Sequence, residues 1–136
     1  MIKEDYVSFE TAKLLKEKDF NESCYTYYDD IGDSINRFHK GYHFNNTSYP
    51  WGVPYDLREA KKYVVSPTLQ MAMKWLREVH NIAINIGWGE IFVEDYRWWC
   101  IILNQKSDEI LRDSEYYKTY EEACESAIKY CLENLI

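Results

Sequence analysis

Apolar residues recur every three or four positions near the C-terminus, which is the spacing of one face of an α-helix. This stripe consists of Tyr120, Ala123, Cys124, Ala127, Ile128, Cys131 and Leu135. Thr119 stands just before it as a candidate N-cap, and Glu122 lies three residues later, as in a capping box. The pattern predicts a C-terminal helix that packs one face against a sheet.

Two further helices are predicted from the same kind of evidence. The middle one has Ser66 as its cap and Pro67 at the first helical position, where the missing N–H costs nothing, and it runs to about His80. Its buried stripe is Leu69, Ala72, Met73, Leu76 and Val79. The first helix is predicted from Ser8 to about Lys18.

Strands are predicted between the helices, where apolar residues alternate with small or polar ones. Ile82, Ile84, Ile86 and Trp88 share one face of a strand. We expect this strand to form a hairpin with 98–103, turning at Asp95 and Tyr96. A second hairpin is predicted from 25–29 and 35–44, and an edge strand at 109–112.

The element order α-β-β-α-β-β-β-α predicts an α+β fold. We expect a mostly antiparallel sheet of about five strands with three helices packed on it. No repeat or proline-rich linker divides the chain, so the prediction is a single domain, 1–136.

Composition narrows the function classes. Acidic residues exceed Lys and Arg by seven, so the surface should repel phosphate backbones, and no direct nucleic-acid binding is expected. The apolar runs are far shorter than the roughly twenty residues of a membrane span, so no membrane association is expected. The N-terminus does not resemble a signal peptide, and a cytoplasmic location is predicted.

The number and spacing of the cysteines are consistent with a cytoplasmic location. Cys24, Cys100, Cys124 and Cys131 lie far apart and form no Cys-x-x-Cys pair. Three of them fall on predicted buried faces and are interpreted as small hydrophobic residues. Cys24 stays open as a nucleophile, although nothing in its surroundings favours that role.

Catalytic and metal-binding motifs are not recognisable in the sequence. His39 and His43 are four residues apart, but along a strand that spacing is about 13 Å, too far for one ion. Acid pairs such as Asp29-Asp30 fall at predicted turns, where solvated acids are common. No metal and no cofactor are expected, and an enzymatic function is not favoured.

Aromatic residues are the most unusual feature, with thirteen Tyr and five Trp. Tyr49, Trp51 and Tyr55 lie together in the predicted connection 41–56, beside prolines and a glycine. Long ordered loops often carry function, and Tyr and Trp are favoured at interfaces. These three residues are the candidate binding site, and the alternative is a lid that covers one sheet face.

Acidic residues are concentrated between 108 and 125, where Arg112 and Lys118 are the cations. The acids are Asp108, Glu109, Asp113, Glu115, Glu121, Glu122 and Glu125. Such a surface could mimic a phosphate backbone, and a solvated acidic face is the alternative.

Three segments carry a resemblance: VSFETAKLLKEK at 7–18, SPTLQMAMKWLREVHN at 66–81 and TYEEACESAIKYCLENLI at 119–136. Together they cover about a third of the chain. They resemble small uncharacterised proteins of gut anaerobic bacteria, often encoded in phages or mobile elements. The resemblance implies a shared helical scaffold and a phage or mobile-element origin, and it implies no activity or functional residues.

Three hypotheses of function follow. The first is a small non-enzymatic interaction or accessory protein that binds a protein partner through the aromatic loop. The alternatives are an acidic decoy that occupies a host nucleic-acid-binding protein, and an enzyme with no recognisable motif. The identity of the partner and the oligomeric state are left open.

Overall fold

The structure is a computed structural model that describes residues 2–29, 37–43, 45 and 63–136. Within these residues, three helices and six strands give an α+β fold, as predicted. The chain divides into two compact units, Tyr6–Thr68 and Leu69–Ile136 with Met1–Asp5. The single domain 1–136 stays a prediction.

The unit Tyr6–Thr68 contains one helix and a small sheet. Helix α1 (Phe9–Glu17) is followed by β1 (Cys24–Asp29), β2 (Arg37–His43) and β3 (Val64–Val65). The sheet has the order β2-β1-β3, and both pairings are antiparallel. The predicted first helix is present, and Ser8 is its N-cap, since its Oγ accepts the backbone N–H of Thr11 at 3.2 Å.

Buried polar groups connect the segments of this unit. The Thr26 hydroxyl donates to the Ser66 carbonyl at 2.6 Å, and the Ser66 hydroxyl donates to the Val7 carbonyl at 3.2 Å. The Asn45 amide donates to the Phe20 carbonyl at 2.7 Å and accepts the Val65 N–H at 2.9 Å. Each of these bonds gives a backbone group in the interior of the unit a polar partner.

The unit Leu69–Ile136 has a larger sheet with two helices. Its elements are α2 (Leu69–His80), β4 (Ile82–Phe92), β5 (Asp95–Asn104), β6 (Ile110–Asp113) and α3 (Tyr120–Asn134). The sheet is antiparallel with the order β4-β5-β6, so β5 is the central strand, and the predicted hairpin with 98–103 is present.

The core of this unit lies between one sheet face and the helices. Ile82, Ile84, Cys100 and Ile102 are buried on that face. The apolar stripe of α3 packs against β5 and β4, and α2 packs against β4 and α3. Thr119 caps α3 as predicted, because its side chain accepts the N–H of Glu122 at 3.1 Å.

Two predictions about the sheet were wrong. The strands form two three-stranded sheets, not one sheet of five. The missed strand, β3, is two residues long, so it has no internal alternation, and its pairing with Tyr27 and Tyr28 defines it.

Two boundaries also differ from the prediction. Helix α2 begins at Leu69, because the backbone of Ser66 is bonded to Thr26 instead of opening a helix. The β4–β5 turn lies at Val93 and Glu94, so Asp95 and Tyr96 belong to β5.

Candidate functional site: the two aromatic faces of the β4–β5 hairpin

The β4–β5 hairpin presents different side chains on its two faces. Successive residues of a strand alternate between faces, and cross-strand partners share a face. Trp88 is opposite Trp98 on the face that packs against α3, whereas Gly87 is opposite Trp99 on the other face. The pairing of β4 with β5 extends along the whole hairpin, so the side chains of both faces stand on the same hydrogen-bonded pair of strands.

On the α3 side, four rings form an aromatic strip, which consists of Trp88, Tyr96, Trp98 and Tyr120. Trp88 stacks on Tyr96 with centroids 4.9 Å apart and an interplanar angle of 14°. Trp98 lies 6.1 Å from Trp88 and meets the Tyr120 ring of α3 edge to face at 5.3 Å. Contacts of this kind hold large side chains in fixed orientations.

The outer end of this strip is exposed to solvent. Trp88 and Tyr96 are 55% and 49% exposed, and Phe92 and Val93 at the turn are 74% and 89% exposed. We call these four residues the hairpin patch. Large apolar side chains clustered on one exposed element are typical of interaction surfaces, whereas isolated ones are not.

The turn that carries Val93 is itself held in place. Glu94 adopts a left-handed backbone conformation with φ of 60°, and its N–H donates to Glu90 Oε1 at 2.8 Å. The Glu90 carboxylate also accepts a weak bond from the Tyr96 hydroxyl at 3.5 Å. Phe92 and Val93 are therefore presented on an ordered turn.

The opposite face of the sheet contains an open cavity of about 440 Å³, here called the Trp99 cavity. Its lining residues are Glu90, Ile91, Trp99, Ile101, Asp113 and Tyr116. The indole of Trp99 lies over the strand β4 because the two positions beneath it are glycines. A Cβ at Gly87 would come within 2.6 Å of Trp99 Cζ2, and one at Gly89 within 3.3 Å of Cη2.

The segment after β6 forms the second wall of the cavity. The Ser114 hydroxyl accepts a hydrogen bond from the Cys100 N–H at 2.7 Å. The backbones of Tyr117 and Trp98 form two hydrogen bonds with each other. These bonds hold the segment beside β5. Tyr116 therefore meets Trp99 edge to face, with centroids 6.2 Å apart and planes at 90°.

The electrostatics of the Trp99 cavity depend on Asp113. This residue pairs with Ile101 across the sheet, so its side chain is on the same face as Trp99, and it is exposed. The Glu90 carboxylate is bonded at the turn, and Arg97 is paired with Asp95 at 2.8 Å. None of the described residues that line the cavity is Lys or Arg.

The four cysteines are free and buried, which confirms the prediction for Cys100, Cys124 and Cys131. Burial raises the pKa of Cys24 and of Cys131 to about 12 and that of Cys124 to about 11. Burial also raises the pKa of Cys100. A protonated, buried thiol is a poor nucleophile, so the role left open for Cys24 has no support.

The histidines lie in different elements. His39 and His43 are both in β2, where they pair with Tyr27 and Cys24. His80 ends α2, and its ring meets Trp75 at 4.7 Å. Among the residues that the structure describes, no three His, Cys, Asp or Glu side chains are grouped so that they could hold a metal ion.

The predicted binding residues Tyr49, Trp51 and Tyr55 lie outside the described residues, so their role stays a prediction. Sequence reasoning missed the hairpin patch and the Trp99 cavity. Two apolar residues beside a turn, Phe92 and Val93, were a signal for the patch. The glycines at 87 and 89 were a signal for the cavity, but only the register places Trp99 over them.

Comparisons with known proteins found no match to a protein-family model, to a curated protein or to a solved structure. The site is therefore assigned from the geometry of the chain's own residues. In the described part of the chain, no helix is both long and apolar enough to cross a membrane.

Proposed function

We propose that this chain is a non-enzymatic interaction protein that binds a protein partner through the hairpin patch. The observation that carries the proposal is the exposure of Trp88, Phe92, Val93 and Tyr96 on one hairpin. Aromatic residues in such positions supply much of the binding energy at protein interfaces.

The order of the patch supports the proposal. Trp88 and Tyr96 stack on each other, and the strip behind them continues through Trp98 to Tyr120 of α3. A surface that is already ordered loses little conformational entropy when a partner binds. The patch is therefore suited to a partner with a preformed apolar surface.

Charge favours a basic partner over a second copy of this chain. Glu90, Glu94 and Asp95 surround the turn, and Arg97 is the cation paired with Asp95. The whole chain carries a net charge of −7, so two copies would repel each other. The expected partner has an apolar surface with Lys and Arg residues at its rim.

The test uses a photo-crosslinking amino acid at Val93 to identify the partner, followed by direct binding of the two purified proteins. The double variant Phe92→Ser with Val93→Ser should weaken that binding at least about tenfold. Ile110→Ser is the matched control, because Ile110 is an exposed apolar residue on β6. It should leave binding unchanged.

Two outcomes would contradict the proposal. Equal loss of binding in the Ile110 and hairpin variants would show that the patch has no special role. Concentration-dependent dimerisation in sedimentation experiments, abolished by the hairpin variants, would assign the patch to a second copy of this chain. A basic rim on the partner predicts in addition that binding weakens as salt concentration rises.

The other hypotheses stay predictions. The loop 41–56 is a second proposed binding surface, and Trp51→Ala or Tyr49→Ala should impair partner binding if it takes part. A phage or mobile-element origin is proposed from sequence resemblance alone. The acidic decoy is supported by the exposure of Asp108, Glu109, Asp113, Glu115, Glu121 and Glu122, which is also the ordinary position of such residues.

A further inference from the structure

We infer that the Trp99 cavity binds an organic cation, namely an alkylated ammonium group held against Trp99 and Tyr116 beside Asp113. Trp99, Tyr116 and Asp113 do not belong to the hairpin patch, so the inference does not rest on the proposed function.

The two rings form a corner. Trp99 and Tyr116 stand at 90° with centroids 6.2 Å apart, so the face of one ring adjoins the edge of the other. The faces of aromatic rings carry partial negative charge, and Trp is the strongest cation binder among them. Alkylated ammonium groups are weakly hydrated and bind in such corners through both contact and charge.

The indole is held in place from below. The absence of side chains at Gly87 and Gly89 lets Trp99 lie close over β4, and a Cβ at Gly87 would collide with it. Ile91 and Ile101 add apolar side chains to the lining of the cavity. The pocket therefore suits a cation with methyl or methylene groups better than a fully hydrated metal ion.

Charge on this side of the sheet selects a cation. Asp113 is exposed, and among the described residues it forms no ion pair. The nearest arginine on the same face, Arg97, is bonded to Asp95 at 2.8 Å. Arg112 is on the opposite face, over the ring of Tyr130 at 4.1 Å. The Asp113 carboxylate is therefore available to pair with a positively charged ligand.

The first experiment is an NMR titration of the full chain with choline and with its uncharged carbon isostere, 3,3-dimethylbutan-1-ol. Choline should shift the indole N–H resonance of Trp99, assigned with a Trp99→Phe variant. The isostere has the same shape but no charge, and it should bind about tenfold more weakly. Equal binding of the two compounds would overturn the inference, because the cavity would then be merely apolar.

Matched variants separate the site from general effects. Tyr116→Phe keeps the ring and should keep binding, whereas Tyr116→Ser should weaken it about tenfold. Asp113→Asn should weaken choline binding and leave the isostere unchanged, and Glu115→Gln, an exposed acid two residues away, should have little effect. An Asp113→Asn variant that binds choline like the wild type contradicts the inference.

The cation could be a free metabolite or a side chain of a protein. A peptide with a trimethylated lysine carries the same group as choline on a longer chain. Tighter binding of this peptide than of choline, with the same Trp99 shift, assigns the site to protein side chains. Equal binding assigns it to a free cation. Failure of both ligands to shift Trp99 at millimolar concentration would overturn the inference.

Discussion

The indole of Trp99 lies directly over its cross-strand partner Gly87, in the space that a side chain at that position would occupy. This contact links a single glycine in the sequence to the shape of the Trp99 cavity. Glycine weakens a strand because it loses much conformational freedom on folding. Here a glycine is needed because the Trp99 indole occupies the space of a side chain at position 87. The same indole forms one wall of the Trp99 cavity.

Gly87→Ala is therefore expected to destabilise the protein by about 1–3 kcal/mol, because a Cβ within 2.6 Å of Trp99 Cζ2 must displace the ring. Urea unfolding gives the free energy of unfolding for wild type and variant. Gly89→Ala is the control, since its Cβ would be 3.3 Å from the nearest Trp99 atom and needs only a small adjustment. If the two variants are equally stable, Trp99 is not held against Gly87.

A second prediction concerns Asn45, in the unit Tyr6–Thr68. Asn45→Ala removes a buried amide that serves both the Phe20 carbonyl and the Val65 N–H. Each backbone group left unpaired costs about 1–3 kcal/mol, so the variant should be strongly destabilised. Thermal unfolding monitored by circular dichroism would measure the loss.

Asn45→Asp is a sharper version of the same test. The carboxylate can still accept the Val65 N–H, but it cannot donate to the Phe20 carbonyl. Protonation restores a donor, so the deficit relative to wild type should shrink as the pH falls. A deficit that is constant with pH would show that the carboxylate introduced at position 45 is solvated in the folded state and is not held against the Phe20 carbonyl.

We expect the four cysteine thiols to be unreactive in the native protein. Their pKa values are raised by burial, to about 12 for Cys24 and Cys131, so the thiols stay protonated at about pH 8. A disulfide reagent such as Ellman's should label none of them in the native state and all four in denaturant. Rapid labelling of one native thiol would show that its surroundings open readily.

Local sequence signals were sufficient where a helix is defined by its own residues. The Thr119 cap and the predicted apolar stripe from Tyr120 to Leu135 are short-range features, and α3 (Tyr120–Asn134) follows them. The Ser66-Pro67 pair is an equally good local signal for a helix start. It was overridden because Ser66 is bonded to Thr26 and Val7, which are distant in sequence.

The candidate site was harder to predict because it depends on register and on a turn. Glu94 takes a left-handed conformation that usually favours glycine or asparagine, so the sequence did not mark the turn at Val93 and Glu94. Without that turn, the pairing of Gly87 with Trp99 could not be assigned. Asp113 reaches the cavity through the pairing of β6 with β5, and Tyr116 reaches it through the backbone bonds between Tyr117 and Trp98.

His80 makes the last prediction, which concerns pH. Its Nε2 is buried and has no hydrogen-bond partner among the described residues, and its ring packs against Trp75. Burial lowers the pKa of His80 below the ordinary value of 6.5, because the charged form would lose its hydration. The unfolded chain therefore binds a proton at a higher pH than the folded chain does.

The contribution of His80 to stability is thus fully present above about pH 6.5 and is lost as the pH falls through the lowered folded-state pKa. His80→Phe keeps an aromatic ring against Trp75 but cannot titrate. The free energy of unfolding of wild type should fall more steeply between about pH 7 and 5 than that of the variant. Parallel curves would mean that His80 is solvated when protonated, and that its burial does not oppose the charge.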